Sequence, residues 1–155
     1  MRDRIKRPKD KEVIFNKLRE SSENKEGFFP TLKAIMMFAS ALGYKYNKKI
    51  PFESSSEPIS LSVFDKEDLF FIDILALEET KDMNILDDDN ENAVEKKYTI
   101  FEAYANGGLE IIDKIIFKDT GTLYNNFIQL IIKEISSNQD DEKSIDNLKD
   151  ILKGL

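Results

Sequence analysis

The stretch "FFPTLKAIMMFASALGY", residues 28–44, constrains this chain more than any other, because between Pro30 and Leu42 only Thr31, Lys33 and Ser40 are polar. A helix apolar nearly all round is stable only when buried, so the rest of the chain must enclose it. Pro30 suits its start, Leu32, Ile35, Ala39 and Leu42 form its inner stripe, and Met36 and Phe38 widen that stripe. Gly43 is expected as the C-terminal cap, since glycine takes the left-handed conformation without a Cβ clash. "YKYNKK", residues 44–49, is then where the chain meets water, with cations beside the negative end of the helix dipole.

The other patterns are mostly helical. Residues 1–8 alternate Arg2, Arg4, Lys6 and Arg7 with other residues and read as a basic arm. From Lys9 to about Glu20, Val13, Ile14 and Leu18 share one helical face, with Phe15 beside them. "ISLSVF", 59–64, alternates at period two and suits a short strand, although no partner strand is evident. Helices are expected over Lys66–Glu79 (Leu69, Ile72, Leu75 and Ala76 inward), over 92–105, over "LEIIDKIIF" and over about Thr122–Ser136, with Gly107-Gly108 breaking the chain between the second and third. A tail helix would place Ile145, Leu148, Ile151 and Leu152 on one side. The expectation is a mainly α, compact single domain: a basic arm (1–8), a helical domain (9–137) and a C-terminal helical extension (138–155), with a short strand near 59–64.

Several activities are closed to these residues. The 155 residues include no cysteine and no histidine, which removes disulfides, thiolate zinc sites, the commonest general base and the commonest metal ligand. Serine–histidine triads and His-dependent nuclease chemistry go with them. No apolar run follows the charged N-terminus as a signal peptide requires, and none approaches the roughly 18 residues of a membrane span, so a cytoplasmic protein without a membrane partner is expected. "DDDNEN" fails as a calcium loop, because counted from Asp87 the sixth residue is Asn92 and the twelfth Tyr98, where glycine and glutamate are needed. Asp73, Glu79 and Lys81 imitate a Mg²⁺-nuclease spacing, as do Glu95 and Lys97, but that chemistry needs a strand pair where these segments read as helix. "YANGGLE" lacks the lysine and preceding strand of a phosphate loop. No catalytic residue, metal site or cofactor is assigned.

Charge is the most informative property. Residues 1–49 hold thirteen Lys+Arg against six Asp+Glu, net +7, whereas residues 50–155 hold ten against twenty-four, net −14. One reading is a polyanion-facing end: Arg2, Arg4, Lys6, Arg7 and Lys9 with Tyr44, Lys45, Tyr46, Lys48 and Lys49 would offer phosphate contacts and stacking. The other is that the two parts attract each other across the fold. The residues leave both open.

Five segments in order, "RIKRPKDKE" (4–12), "FPTLKAIMMFASALGYKYNKK" (29–49), "SSEPISLSVF" (55–64), "LALEETKDMNIL" (75–86) and "IFEAYANGGLEII" (100–112), resemble the DNA phosphorothioation-associated protein 4 family, also called Dnd system-associated protein 4. The resemblance spans about residues 4–117, and the last 38 residues look individual. It implies a bacterial defence setting beside the Dnd machinery, which replaces a non-bridging phosphate oxygen of DNA with sulphur, or beside the restriction proteins that use this mark. It carries over no catalytic residue. The implied role is a non-catalytic accessory protein of such a complex, contacting DNA or a DNA-bound assembly through the basic N-terminal surface. A purely protein-binding adaptor and a divergent Mg²⁺ nuclease are the alternatives, and self-association stays open.

Overall fold

The structure, a computed structural model, describes residues 1–117 and 122–137; the expected tail helix with Ile145, Leu148, Ile151 and Leu152 lies outside them. The fold is mainly α with one small antiparallel sheet: β1 (Arg4–Pro8), α1 (Glu12–Leu18), α2 (Leu32–Lys45), β2 (Ser55–Ser60), α3 (Lys66–Thr80), α4 (Glu91–Ile116) and α5 (Leu123–Ser137), with 3-10 turns at Lys9–Lys11, Leu61–Val63 and Met83–Leu86. The chain divides into two compact units, Met1–Asp113 and Lys114–Leu155. No helix among the described residues is long and apolar enough to cross a membrane.

In the first unit the segment read as an arm is a strand. β1 pairs with β2 through Arg4↔Ser60, Ile5↔Ile59, Arg7↔Ser56 and Pro8↔Ser55, with an irregularity between Ile5 and Arg7. Ile5 and Ile59 form a buried cross-strand pair. The strand expected at 59–64 therefore lies slightly earlier, and Leu61–Val63 turns as a 3-10 element capped by the Ser60 hydroxyl. In α1, Ile14, Phe15 and Leu18 are buried while Val13 points to solvent, because a stripe at i, i+1 and i+4 leaves the residue before it about 100° away.

α2 begins as its sequence suggests. Thr31 is the N-cap, its hydroxyl accepting from the Ala34 N–H at 3.1 Å. Its end corrects the capping expectation. Gly43 lies within the helix, and the left-handed residue is Asn47 at φ 51°. The Asn47 N–H donates to Tyr44 O (3.0 Å) and the Lys48 N–H to Gly43 O (2.8 Å), the paired bonds of a Schellman turn with asparagine in the glycine position.

The helical stretch buried on all sides lies in the middle of α4. Every residue from Phe101 to Leu109 is buried, whereas α2 exposes Ala41, Tyr44 and Lys45. Gly107-Gly108 does not interrupt α4, which runs unbroken through both. A Cβ on Gly108 would stand 1.7 Å from Ala39 O, and one on Gly43 would stand 2.1 Å from Tyr104 O. The backbones of α2 and α4 thus touch over one turn of each, an approach that needs residues without a Cβ at those positions. A Cβ on Gly107 would meet Lys48 O at 1.9 Å. That gap lets the chain leaving α2 lie on α4, where the Ile50 N–H donates to Ala103 O (3.0 Å) and Asn106 Nδ2 to Ile50 O (2.9 Å).

α3 opens with a reciprocal capping box between Asp65 and Asp68 and buries Ile72, Leu75 and Ala76. In the second unit, Thr122 precedes α5 and caps it, its carbonyl and hydroxyl accepting from the Asn126 and Asn125 N–H groups.

Candidate functional site

The alternation of β1 points Arg4 and Lys6 outward and Ile5 inward, and after the irregularity both Arg7 and Pro8 turn in. Arg7 is only 3% exposed. Its Nε donates to Glu57 O (2.8 Å), its Nη1 to Glu12 Oε2 (2.8 Å), and its guanidinium lies 4.9 Å from the Phe15 ring centre. Arg2 crosses to α4, where it pairs with Glu102 and donates to Glu95 Oε1 at 3.3 Å, 5.7 Å from the Tyr98 ring centre. The Lys6 N–H also donates to Glu102. Burial pushes the Glu102 carboxyl above the usual carboxylate range, and Arg2 offsets only part of that push.

The second basic group is held just as firmly at its end. Lys48 Nζ donates to Glu110 Oε1 at 3.1 Å. Lys49 pairs with Glu79, which also accepts from the Tyr104 hydroxyl at 2.5 Å. Lys49 and Tyr104 together hold the Glu79 carboxyl below its ordinary value, while burial and Glu79 hold the Tyr104 phenol above its own. Tyr44 stands edge-on to Tyr104 at 5.6 Å. Tyr44, Lys45 and Tyr46 are exposed, as are Arg4, Lys6 and Lys9.

The two groups meet different sides of α4. Glu102 and Tyr104 are two residues apart, which is about 200° around a helix. Arg2 follows the stripe Glu95–Tyr98–Glu102, and Lys49 faces Tyr104 from the other side.

The candidates for nuclease chemistry are engaged elsewhere. Asp73 and Asp88 both pair with the buried Lys97 ammonium, at 2.9 and 2.8 Å. Burial pulls that ammonium down, but the two carboxylates outweigh it and hold it above its ordinary value. Lys81 pairs with Glu78 one turn back. Asp73 and Glu79 stand on the helix α3 rather than on the strand pair that such chemistry needs. Among the described residues no three carboxylates gather as a metal site. The "DDDNEN" loop works as a helix start, Asn90 Oδ1 accepting from the Asn92 and Ala93 N–H groups.

A family model described as DNA sulphur modification system-associated protein 4 matches residues 4–150. The chain belongs to that family. No curated protein and no solved structure matches it. The match runs well past residue 117, so most of the C-terminal part that looked individual is family sequence too. Membership associates the chain with the Dnd sulphur-modification system.

The residues that sequence reasoning overlooked in this family member are the acids. Glu102, alone in the apolar run "IFEAYA", meets Arg2, and Glu79, weighed only as a metal ligand, meets Lys49. A carboxylate isolated in such a run is the signal that marks a buried partner for a cation.

Proposed function

We propose that the protein is a non-catalytic accessory subunit of a Dnd modification or restriction complex and acts as an adaptor through protein contacts. One observation carries this reading: cations of the basic segment are used inside the fold. Arg2 pairs with Glu95 and Glu102, Lys33 with Asp68, Lys48 with Glu110 and Lys49 with Glu79, each reaching from residues 1–49 to the acidic remainder. A side chain so engaged reaches phosphate only by giving up its partner, and for Arg2 that strands the buried Glu102. The internal pairs also account for part of the charge asymmetry without an external polyanion.

Direct DNA contact is the second reading, and the exposure of Arg4, Lys6 and Lys9 along β1 and the turn after it favours it. Gel-shift titration of the purified chain separates the two. The adaptor predicts no retention of plain or phosphorothioated duplex at physiological salt and co-purification with Dnd proteins after nuclease treatment. Salt-sensitive retention lost in an Arg4→Gln, Lys6→Gln, Lys9→Gln variant would establish the DNA reading instead.

A further inference from the structure

A groove of about 490 Å³ lies between β2 and the start of α2. Its apolar lining is Pro30, Leu32, Ala34, Pro58, Ile59 and Val63. β2 contributes Glu57, Pro58 and Ile59, three consecutive residues. The irregularity in the β1–β2 register falls at Glu57–Pro58, and no residue of β1 lines the groove, so it borders β2 alone. Among the described residues β2 has β1 as its one partner strand, so a groove lined by β2 without β1 lies on the side away from it.

The polar lining is Arg19, Thr31, Lys33 and Glu57. Arg19 is exposed, and among the described residues its guanidinium makes no ion pair. The first turn of α2 holds no acidic residue, so its positive dipole end is not neutralised from within the turn. Lys33 is occupied by Asp68 at 2.7 Å, and Glu57 is the one acid of the lining.

We propose that this groove binds an extended segment of a partner protein, seating one apolar side chain between α2 and β2 and a nearby carboxylate on Arg19. The volume falls within the range of specific pockets, and the open side along a sheet edge suits a peptide rather than an enclosed small molecule. The apolar lining argues against a nucleic-acid backbone. Pro58 has no N–H to donate, so an added strand cannot pair along the whole edge and recognition rests on the side-chain pocket and the carboxylate. The proposal gives the adaptor a docking site and does not depend on which protein carries the segment.

The test is a selection of random 12-residue peptides displayed on phage against the purified full chain, with the best-enriched sequence synthesised and its affinity measured by fluorescence anisotropy. Enriched peptides should share an apolar residue beside Asp or Glu. Arg19→Gln should weaken binding about tenfold, as loss of one charge-assisted contact does. Replacing the peptide's acid with its amide should cost the wild type the same factor and the Arg19→Gln variant almost nothing. Val63→Asp, at a residue 53% exposed, should abolish binding without unfolding the protein. No enrichment, peptides without an acid, or affinity unchanged from the wild type in both variants would overturn the proposal. So would a dimer in analytical ultracentrifugation that Val63→Asp dissociates, which would make a second copy the occupant.

Discussion

Glu102 holds a carboxyl group where water scarcely reaches it, and Arg2 is the side chain that lets it ionise there. Replacing Arg2 with methionine should cost about 3–5 kcal/mol at pH 7, because the charge left behind is buried and unpaired. The pH dependence is the sharper check. The folded Glu102 value is already raised above the unfolded value near 4.3, so the stability it contributes is present at low pH and lost as pH rises through the folded value. Removing Arg2 raises the folded value further, so urea denaturation should show a smaller penalty at pH 5 than at pH 7. An equal loss at both would mean that packing of the arginine stem, not the charge, matters. Glu79 runs the other way. Lys49 and Tyr104 depress its value, so its contribution is present above about pH 4.3 and fades as pH falls through the folded value. Melting temperatures should therefore drop less steeply below pH 4 in Glu79→Gln than in the wild type. Neither acid was picked out as a cation's partner from the sequence, because which lysine or arginine meets which carboxylate depends on contacts up to 100 residues apart.

α2 and α4 show what local pattern conveys and what it conceals. The apolar stripe of α2 was legible: Ile35, Ala39 and Leu42 are buried as the 3.6-residue period requires. Helices α3 and α5 were legible for the same reason, within a residue or two at their ends. The glycines were misread. In isolation, Gly43 and Gly107-Gly108 carry the signature of helix ends, because glycine costs about 1 kcal/mol in a helix interior. Only the partner helix reveals that the missing Cβ is the point. Gly108→Ala should test this. Helix propensity alone would stabilise the protein by about 1 kcal/mol, whereas a clash with a backbone carbonyl that cannot swing away should cost about 1–3 kcal/mol or more. A stabilised Gly108→Ala protein would mean that α2 and α4 do not touch at Ala39. Leu42→Ala should cost about 2–5 kcal/mol, with the half-buried Phe38→Ala below it. The sheet was concealed for a related reason: β1 and β2 lie about fifty residues apart, and each alone is too short and too charged or too rich in serine to advertise a partner.

Across the whole molecule, the division between a +7 segment and a −14 remainder is first a statement about how the chain holds itself together. Both explanations were visible in the charge count, but only the fold shows where the cations go, since Arg2, Arg7, Lys48 and Lys49 all end on internal partners. A number can separate the two. For duplex DNA each neutralised phosphate contributes about −0.9 to the slope of log K against log salt. If all eight candidate cations of the two basic groups reached phosphate, the slope would be about −7. With Arg2, Arg7, Lys48 and Lys49 kept in the fold, at most four of the eight could reach phosphate and the slope would be no steeper than about −3.6. The isolated chain should therefore show either no binding or weak binding at low salt with a slope no steeper than about −4. A slope near −7 would require the internal pairs to open on DNA, and replacing Glu102 or Glu110 alone by glutamine would then lower the melting temperature of the protein in the absence of DNA but not in its presence. A shallow slope, unchanged by Lys48→Gln and Lys49→Gln, would leave those lysines as ties between α2 and the acidic helices, and would place the protein's contribution to the Dnd system in what its surface binds other than DNA.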